Sequence, residues 1–413
     1  MSRTILELHL LQTVPPSNLN RDDTGAPKSA IYGGVPRARV SSQSWKRATR
    51  LAFDQLLDPS ELGTRTKRVA EFVGYRIRQL DSSIEEAESL RLAAETVRAA
   101  TGVKVEPPKR KATSAQEGRE KDPAPESSYL LFLSAGQRDG LARLAVEARA
   151  DSTAFFKAKE NKARAKEIAN TRHSVDIALF GRMVADSADI NVDAAAQVAH
   201  AISVHRVENE SDYYTAVDDR KSRREGDLEE SGEEDRGAGM IGTVEFNSAT
   251  LYRFAALDAD ALARNLGTGL REDEPPTGPV RRAVEAFVEG FITSLPTGKL
   301  NTFGNHTLPD AVLVKLRSSR PISFVSAFEE PTQEETGTGN MRQACEKLAA
   351  YVPEIERAYG VEDDAQTWVL RVGKNTEALE GLGTSVSLPE LVSAAGEAVA
   401  ARQQPEAGQE PEA

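Results

Sequence analysis

LNRDDTGAPKSAIYGGVPRARVSSQSWKRATR, residues 19 to 50, carries the passage from loop to strand to helix on which the reading of this chain rests. The chain of 413 residues is acidic, with a formal net charge of -12. Residues 35 to 50 nevertheless hold five cations, Arg37, Arg39, Lys46, Arg47 and Arg50, and no anion. Like charges set close together repel, so a positive island on a negative molecule points to a polyanionic ligand. Asn18 to Gly34 is polar and punctuated by Gly25, Pro27, Gly33 and Gly34, the composition of a long loop with a functional role or of a disordered one. Val35 to Val40 reads as a short strand, with Arg37 and Arg39 on one face and Ala38 and Val40 on the other. Ser41 to Leu57 reads as a helix capped by Ser41 or Ser42. Trp45, Ala48, Ala52, Phe53 and Leu56 recur at helical spacing and form its inward stripe. Gln43, Lys46 or Arg47, and Arg50 line another edge. These cations and the unpaired N–H groups of the first turn can face one phosphate. An ordinary solvated basic edge fits the same residues equally well.

Outward from this block, residues 4 to 12 alternate, with Leu6, Leu8 and Leu10 against Glu7 and His9, which predicts a half-buried strand. Residues 60 to 100 are helical and charged. Residues 104 to 127 are rich in Lys, Glu and Pro, and their composition predicts a disordered loop. A helical stretch is expected from near Tyr129 through Phe155 and Phe156. It continues into a basic face with Lys157, Lys159, Lys162, Arg164 and Lys166, read either as solvated or as a nucleic-acid contact. VDIALFGRM, 175 to 183, is apolar and breaks at Gly181. Ala194 to Val207 reads first as helix, then as strand through Ile202 and Val204. Residues 218 to 240 form a charged, solvated excursion. Alternation returns over 242 to 256, a helix is expected over Val280 to Leu295, and 310 to 316 and 321 to 328 look strand-like or mixed. The tail from about Gln403 is expected to be disordered. Strands from both ends and the middle, with a helical stretch over 60 to 172 inserted among them, predict an α+β fold.

Composition also excludes several classes. Hydrophobic residues make up 39% of the chain, enough for a core. No apolar run is long enough to span a bilayer, and the N-terminus lacks a secretory pattern. The lone cysteine, Cys345, sits in a helical pattern as a core thiol and excludes an intrachain disulfide, which fits a reducing, cytoplasmic setting. His200 and His205 lack the spacing of a metalloprotease helix, and neither a phosphate-binding P-loop nor a nucleophile elbow is present. No metal, cofactor or catalytic centre is expected.

Several blocks taken together resemble one family. LNRDD at 19–23, AIYGG at 30–34, RARVSSQSWKRATR at 37–50, VDIALFGRM at 175–183, AHAISVHRVENESDYYTAVDD at 199–219 and GTVEFNSATLYRFA at 242–255 fall in order. NTFGNHTLPDAVLVKL at 301–316 adds a weaker match. They resemble the backbone subunit of the type I-E CRISPR Cascade surveillance complex, of the RAMP superfamily. The resemblance implies an RRM-like (ferredoxin-like) palm over 1–59, 181–206 and 241–390. It also implies helical fingers over 60–180, a β-hairpin thumb over 207–240, and a helix end and disordered tail over 391–413.

The function it implies is that of a non-catalytic scaffold. Identical copies polymerise head-to-tail along a CRISPR RNA with the other Cascade subunits. Each thumb displaces a base at regular intervals, and the presented guide segments pair with target DNA. On this sequence, Arg21, Lys28, Arg37, Arg39, Lys46, Arg47 and Arg50 would neutralise RNA phosphates, with Ser41 and Gln43 as hydrogen-bonding partners. Met183 would be an apolar wedge, and Tyr213, Tyr214 and Thr215 the thumb tip, where an aromatic ring stacks on a base. Without the resemblance, Met183 reads as a core residue and the tyrosine pair as hairpin cover. Val35 and Pro36 stand where relatives often carry further cations, and Tyr214 adds a hydroxyl to an expected apolar ring. Two other readings are a stand-alone single-strand RNA binder and a CRISPR RNA-processing endonuclease. The nuclease would carry a glycine-rich loop near its C-terminus, which this chain lacks.

Overall fold

A computed structural model describes residues 3–108, 123–184, 188–217, 238–267, 275, 277–333 and 338–404. Its strands, in chain order, are β1 (Ile5–Ser17), β2 (Ser29–Tyr32), β3 (Val35–Val40), β4 (Gly63–Thr66), β5 (Val105–Glu106), β6 (Glu126–Ser127), β7 (Leu131–Ser134), β8 (Ala196–Val198), β9 (Ala201–Ser203), β10 (Glu210–Val217), β11 (Ala238–Asp258), β12 (Ala311–Arg317), β13 (Ala365–Arg371) and β14 (Thr384–Ser385). Ten of them form one sheet in the order β14-β13-β12-β1-β11-β9-β3-β2, with β8 and β10 also paired to β11. The α+β expectation holds. β1 lies mid-sheet, antiparallel to both β11 and β12. Far along β11, Glu210–Val217 pairs back on Ala238–Phe246 as a hairpin.

β1 is buried on both faces, not half-buried. Leu6, Leu8 and Leu10 enter one core with helix α1 (Ser42–Leu56) and helices Gly278–Thr293 and Leu388–Arg402. Glu7 and His9, expected at the surface, point the other way and are fully buried beneath helix Asn340–Tyr359 and the Phe324–Phe328 turn. They survive burial because every charge there has a partner. Arg317 Nε donates to Glu7 at 2.9 Å, Ile322 N–H donates to it at 2.6 Å, and Glu356 accepts from both Arg317 and Lys315. The Tyr252 hydroxyl lies 2.9 Å from His9 Nδ1 and accepts from Phe324 N–H. The Glu7 carboxylate can only accept and lies 3.4 Å from His9 Nε2, which places the ring proton there, so Nδ1 of the neutral ring accepts from the Tyr252 hydroxyl. Burial holds the His9 pKa below its ordinary value, in keeping with that neutral tautomer.

A second body is built from α2 (Val69–Leu80), α3 (Glu86–Thr101), α4 (Ala135–Glu147), α5 (Ser152–Lys157) and α6 (Lys159–Ala169). It has its own core around Val73, Ile77, Leu92, Val97, Leu141 and Ala165. The pairs β4–β7 and β5–β6 close its base.

Three local expectations are corrected. The stretch after Tyr129 begins as strand β7, whose last residue, Ser134, forms a capping box with Gln137 and starts α4 only there. Ala194 to Val207 contains no helix. Its small residues lie flat in β8 and β9, where ladder bonds to β11 override alanine's helix preference. Residues 321 to 328, read as strand-like or mixed, contain no strand and form a turn, because Phe324 and Phe328 both plug the core above Tyr252. Residues 109–122, 218–237 and 405–413, where loops and a tail were expected, lie outside the described residues. Among those described, no helix is long and apolar enough to cross a membrane, and no group of His, Cys, Asp and Glu could hold a metal ion.

Candidate nucleic-acid interface

Helix α1 begins at Ser41, whose hydroxyl accepts from Ser44 N–H. Its apolar stripe, with Trp45 and Phe53 fully buried, fixes the roll of the helix against the sheet. That roll turns Gln43, Lys46, Arg47 and Arg50 toward a groove of about 890 Å³. The opposite wall comes from the second body through Arg65, Leu130 and Phe132, and from residues 181–183 and 191–194. Lys46 Nζ sits 6.0 Å from the Phe180 ring centroid and Arg50 Cζ sits 5.5 Å from that of Phe132. Aromatic faces hold the two cations without neutralising them. Burial against this wall lowers the Lys46 pKa from its ordinary value.

Several arginines of the helical body are matched to carboxylates, as in Arg76 with Asp139, Arg149 with Asp81 and Arg164 with Glu147. Among the described residues, Arg21, Lys28, Arg39, Lys46, Arg47 and Arg50 make no ion pair with a carboxylate. An acidic protein that leaves six neighbouring cations unmatched keeps its positive potential for something outside itself.

Met183 is 84% exposed at the rim of the same groove. Residues alone predict core packing for it, and that reading is wrong. Helix α7 (Val175–Phe180) ends at Gly181, whose φ of 79° and ψ of 169° suit glycine alone. A Cβ there would lie 2.7 Å from the Val192 carbonyl oxygen. The next residue, Arg182, is buried. It donates to the carbonyls of Ile190, Phe132 and Ala169 at 2.8, 3.2 and 2.9 Å. Desolvation pulls its pKa down to about 10. With Gly181 turning the chain and Arg182 anchored on the helical body, Met183 is left pointing outward.

A model of the CT1975-like protein family matches residues 6–394. The chain belongs to this family. A chain of a solved CRISPR RNA-guided surveillance complex, pre-nicking, shares 33% identity with this CT1975-like chain at a TM-score of 0.75, covering 96% of this chain and 100% of that one. A chain of a further CRISPR RNA-guided surveillance complex shares 29% identity at a TM-score of 0.66, covering 95% and 99%. No curated protein matches.

The sequence-derived candidates separate into groups on the CT1975-like fold. Gln43, Lys46, Arg47, Arg50 and Met183 share the groove. Arg21 and Arg47 line an adjoining cleft of about 570 Å³ between the 19–25 loop and Pro296–Gly298. Arg39, on β3, and Lys28, just before β2, lie together, with Arg39 N–H donating to the Lys28 carbonyl at 2.9 Å. Arg37 is corrected: it is fully buried, donating to the carbonyls of Ser203, Phe328, Glu329 and Tyr32, and presents nothing to a phosphate. Ser41 is spent on capping α1. Tyr213 and Tyr214 are exposed on the hairpin, away from the groove, and Thr215 lies opposite Ile241 in the same ladder. The Tyr214 ring lies across Gly242, where a Cβ would come within 2.4 Å of it. On α5 and α6, Arg164 and Lys166 pair with Glu147 and Asp189, while Lys157, Lys159 and Lys162 are exposed. Sequence reasoning missed Arg65, which the β4–β7 ladder sets opposite Phe132, and Arg182. Neither carries a local signal, since both positions are defined by partners distant in sequence.

Proposed function

We propose that this CT1975-like chain is a non-catalytic, CRISPR RNA-binding scaffold of a Cascade-type surveillance complex of type I-E. Its role is in a CRISPR complex, a reading supported by full-length similarity to chains of RNA-guided surveillance complexes. The observation that carries the molecular reading is the groove, where unmatched Lys46, Arg47 and Arg50 face an exposed Met183. Cations grip a phosphate backbone irrespective of base identity, and an exposed thioether beside them can wedge between two bases. In this reading the sheet is the RRM-like palm, the helical body the fingers, and β10–β11 the thumb. The thumb tyrosines stack beside a displaced base on RNA held by a neighbouring copy, and the intervening guide segments pair with target DNA. Other Cascade subunits are further partners. Size-exclusion chromatography with light scattering tests this on guides of increasing length. The mass should rise in steps of one protein copy. A constant one-to-one complex would favour a stand-alone RNA binder, and cleavage of repeat RNA would favour a nuclease.

A further inference from the structure

We propose that Lys28, Arg39 and His200 form a second phosphate site beside the α1 groove, one whose hold on the RNA backbone tightens when His200 takes up a proton. The inference rests on the RNA-binding reading and adds to it a residue and a form of control. The β3–β9 ladder sets Arg39 opposite Ile202, which carries His200, two residues earlier, to the Arg39 side chain. Arg39 is held in place: its Nε donates to the Ser29 carbonyl at 3.1 Å and its Nη1 lies 3.3 Å from His200 Nδ1. A guanidinium can only donate, so Nδ1 accepts and the imidazole is neutral, its proton on Nε2. His200 is exposed, and Arg39 and Lys28 are the charged groups that act on it. Neither cation is paired with a carboxylate among the described residues.

This arrangement has two states. In the neutral state His200 occupies one of Arg39's donors and offers the ligand a single N–H. On protonation Nδ1 becomes a donor and can no longer accept from Arg39. One proton thus frees a guanidinium N–H and adds an imidazolium N–H, both available to an anion. Without a ligand, desolvation by the neighbouring chain and then the charges of Arg39 and Lys28 hold the His200 pKa below its ordinary value. A phosphate set among the three supplies the missing negative charge and raises that pKa, so binding takes up a proton. By linkage, affinity must rise as pH falls through the bound-state pKa, and level off below that of the unbound state.

The other histidines do not share this geometry. His205 is locked as a neutral ring, donating from Nδ1 to the Arg206 carbonyl and accepting Thr250 N–H at Nε2. His9 and His173 are buried. His306 is exposed and serves as the control.

The test is filter binding of radiolabelled single-stranded CRISPR RNA to the full chain between pH 6 and pH 8 at constant ionic strength. Wild type should bind about three- to tenfold more tightly at the acid end, since whatever factor RNA adds to the proton affinity of His200, the proton adds to the affinity for RNA. His200→Gln should bind with the same affinity across the range, His200→Lys should hold the tighter affinity at both ends, and His306→Gln should keep the wild-type profile. A wild-type profile in His200→Gln, or a flat profile in wild type, would overturn this inference and leave the RNA-binding reading standing. Failure of wild type to bind at any pH would overturn both.

Discussion

Arg37 and Arg47 stand ten residues apart in the same positive island, and the structure assigns them opposite work. Arg37→Met keeps most of the buried aliphatic volume and removes the guanidinium. The carbonyls of Ser203 and Phe328, both buried, lose their donors at 2.9 and 3.0 Å, and those of Tyr32 and Glu329 lose theirs at the margin. A buried acceptor left unsatisfied costs about 1–3 kcal/mol. Removal of a desolvated cation with no carboxylate partner offsets part of that loss. The net destabilisation should be about 2–4 kcal/mol. Arg47 is exposed, so Arg47→Met should change stability by no more than about 0.5 kcal/mol. Urea unfolding followed by tryptophan fluorescence reads both variants, because Trp45 and Trp368 are buried around the sheet. RNA affinity measured against salt should show the converse. The log–log slope should stay unchanged in folded Arg37→Met and fall by about 0.7 in Arg47→Met. An Arg37→Met protein as stable as wild type, with a reduced slope, would refute the assignment of Arg37 to the interior.

Met183→Ala and Tyr214→Ala should blur the regular spacing of nuclease-sensitive positions on bound guide RNA while changing overall affinity little; footprints of unaltered period would count against the wedge and the thumb tip. Gly181→Ala should destabilise by about 1–3 kcal/mol from backbone conformation alone, with more from the contact at Val192, and should reproduce the Met183→Ala footprint. Wild-type stability and footprint in that variant would show that Gly181 does not aim Met183.

Helix α1 and its serine cap are legible in the sequence, because amphipathic spacing and capping are local properties. The limits appear wherever a second layer covers what local pattern takes for surface. Glu7 and His9 alternate with leucines as solvent-facing residues would, yet the Phe324–Phe328 turn and Arg317 bury them in a network of paired charges. Arg37 and Arg39 are two apart on one strand face. The turn ending at Phe328 and Glu329 covers the first and leaves the second open. Met183 is invisible to residue-level reasoning, which sends methionines to the core; only the resemblance marked it. Arg65 and His200 join the candidate interface through strand pairings made across long stretches of chain.

The central claim is that the unmatched cations of α1 grip the RNA backbone. Its most direct test is the salt dependence of guide-RNA affinity for the Lys46→Ala, Arg47→Ala, Arg50→Ala triple variant against wild type. At about 0.7 per phosphate contact, the slope should fall by about 2, equally for guides of unrelated sequence. A slope equal to that of wild type, with the protein folded, would contradict it.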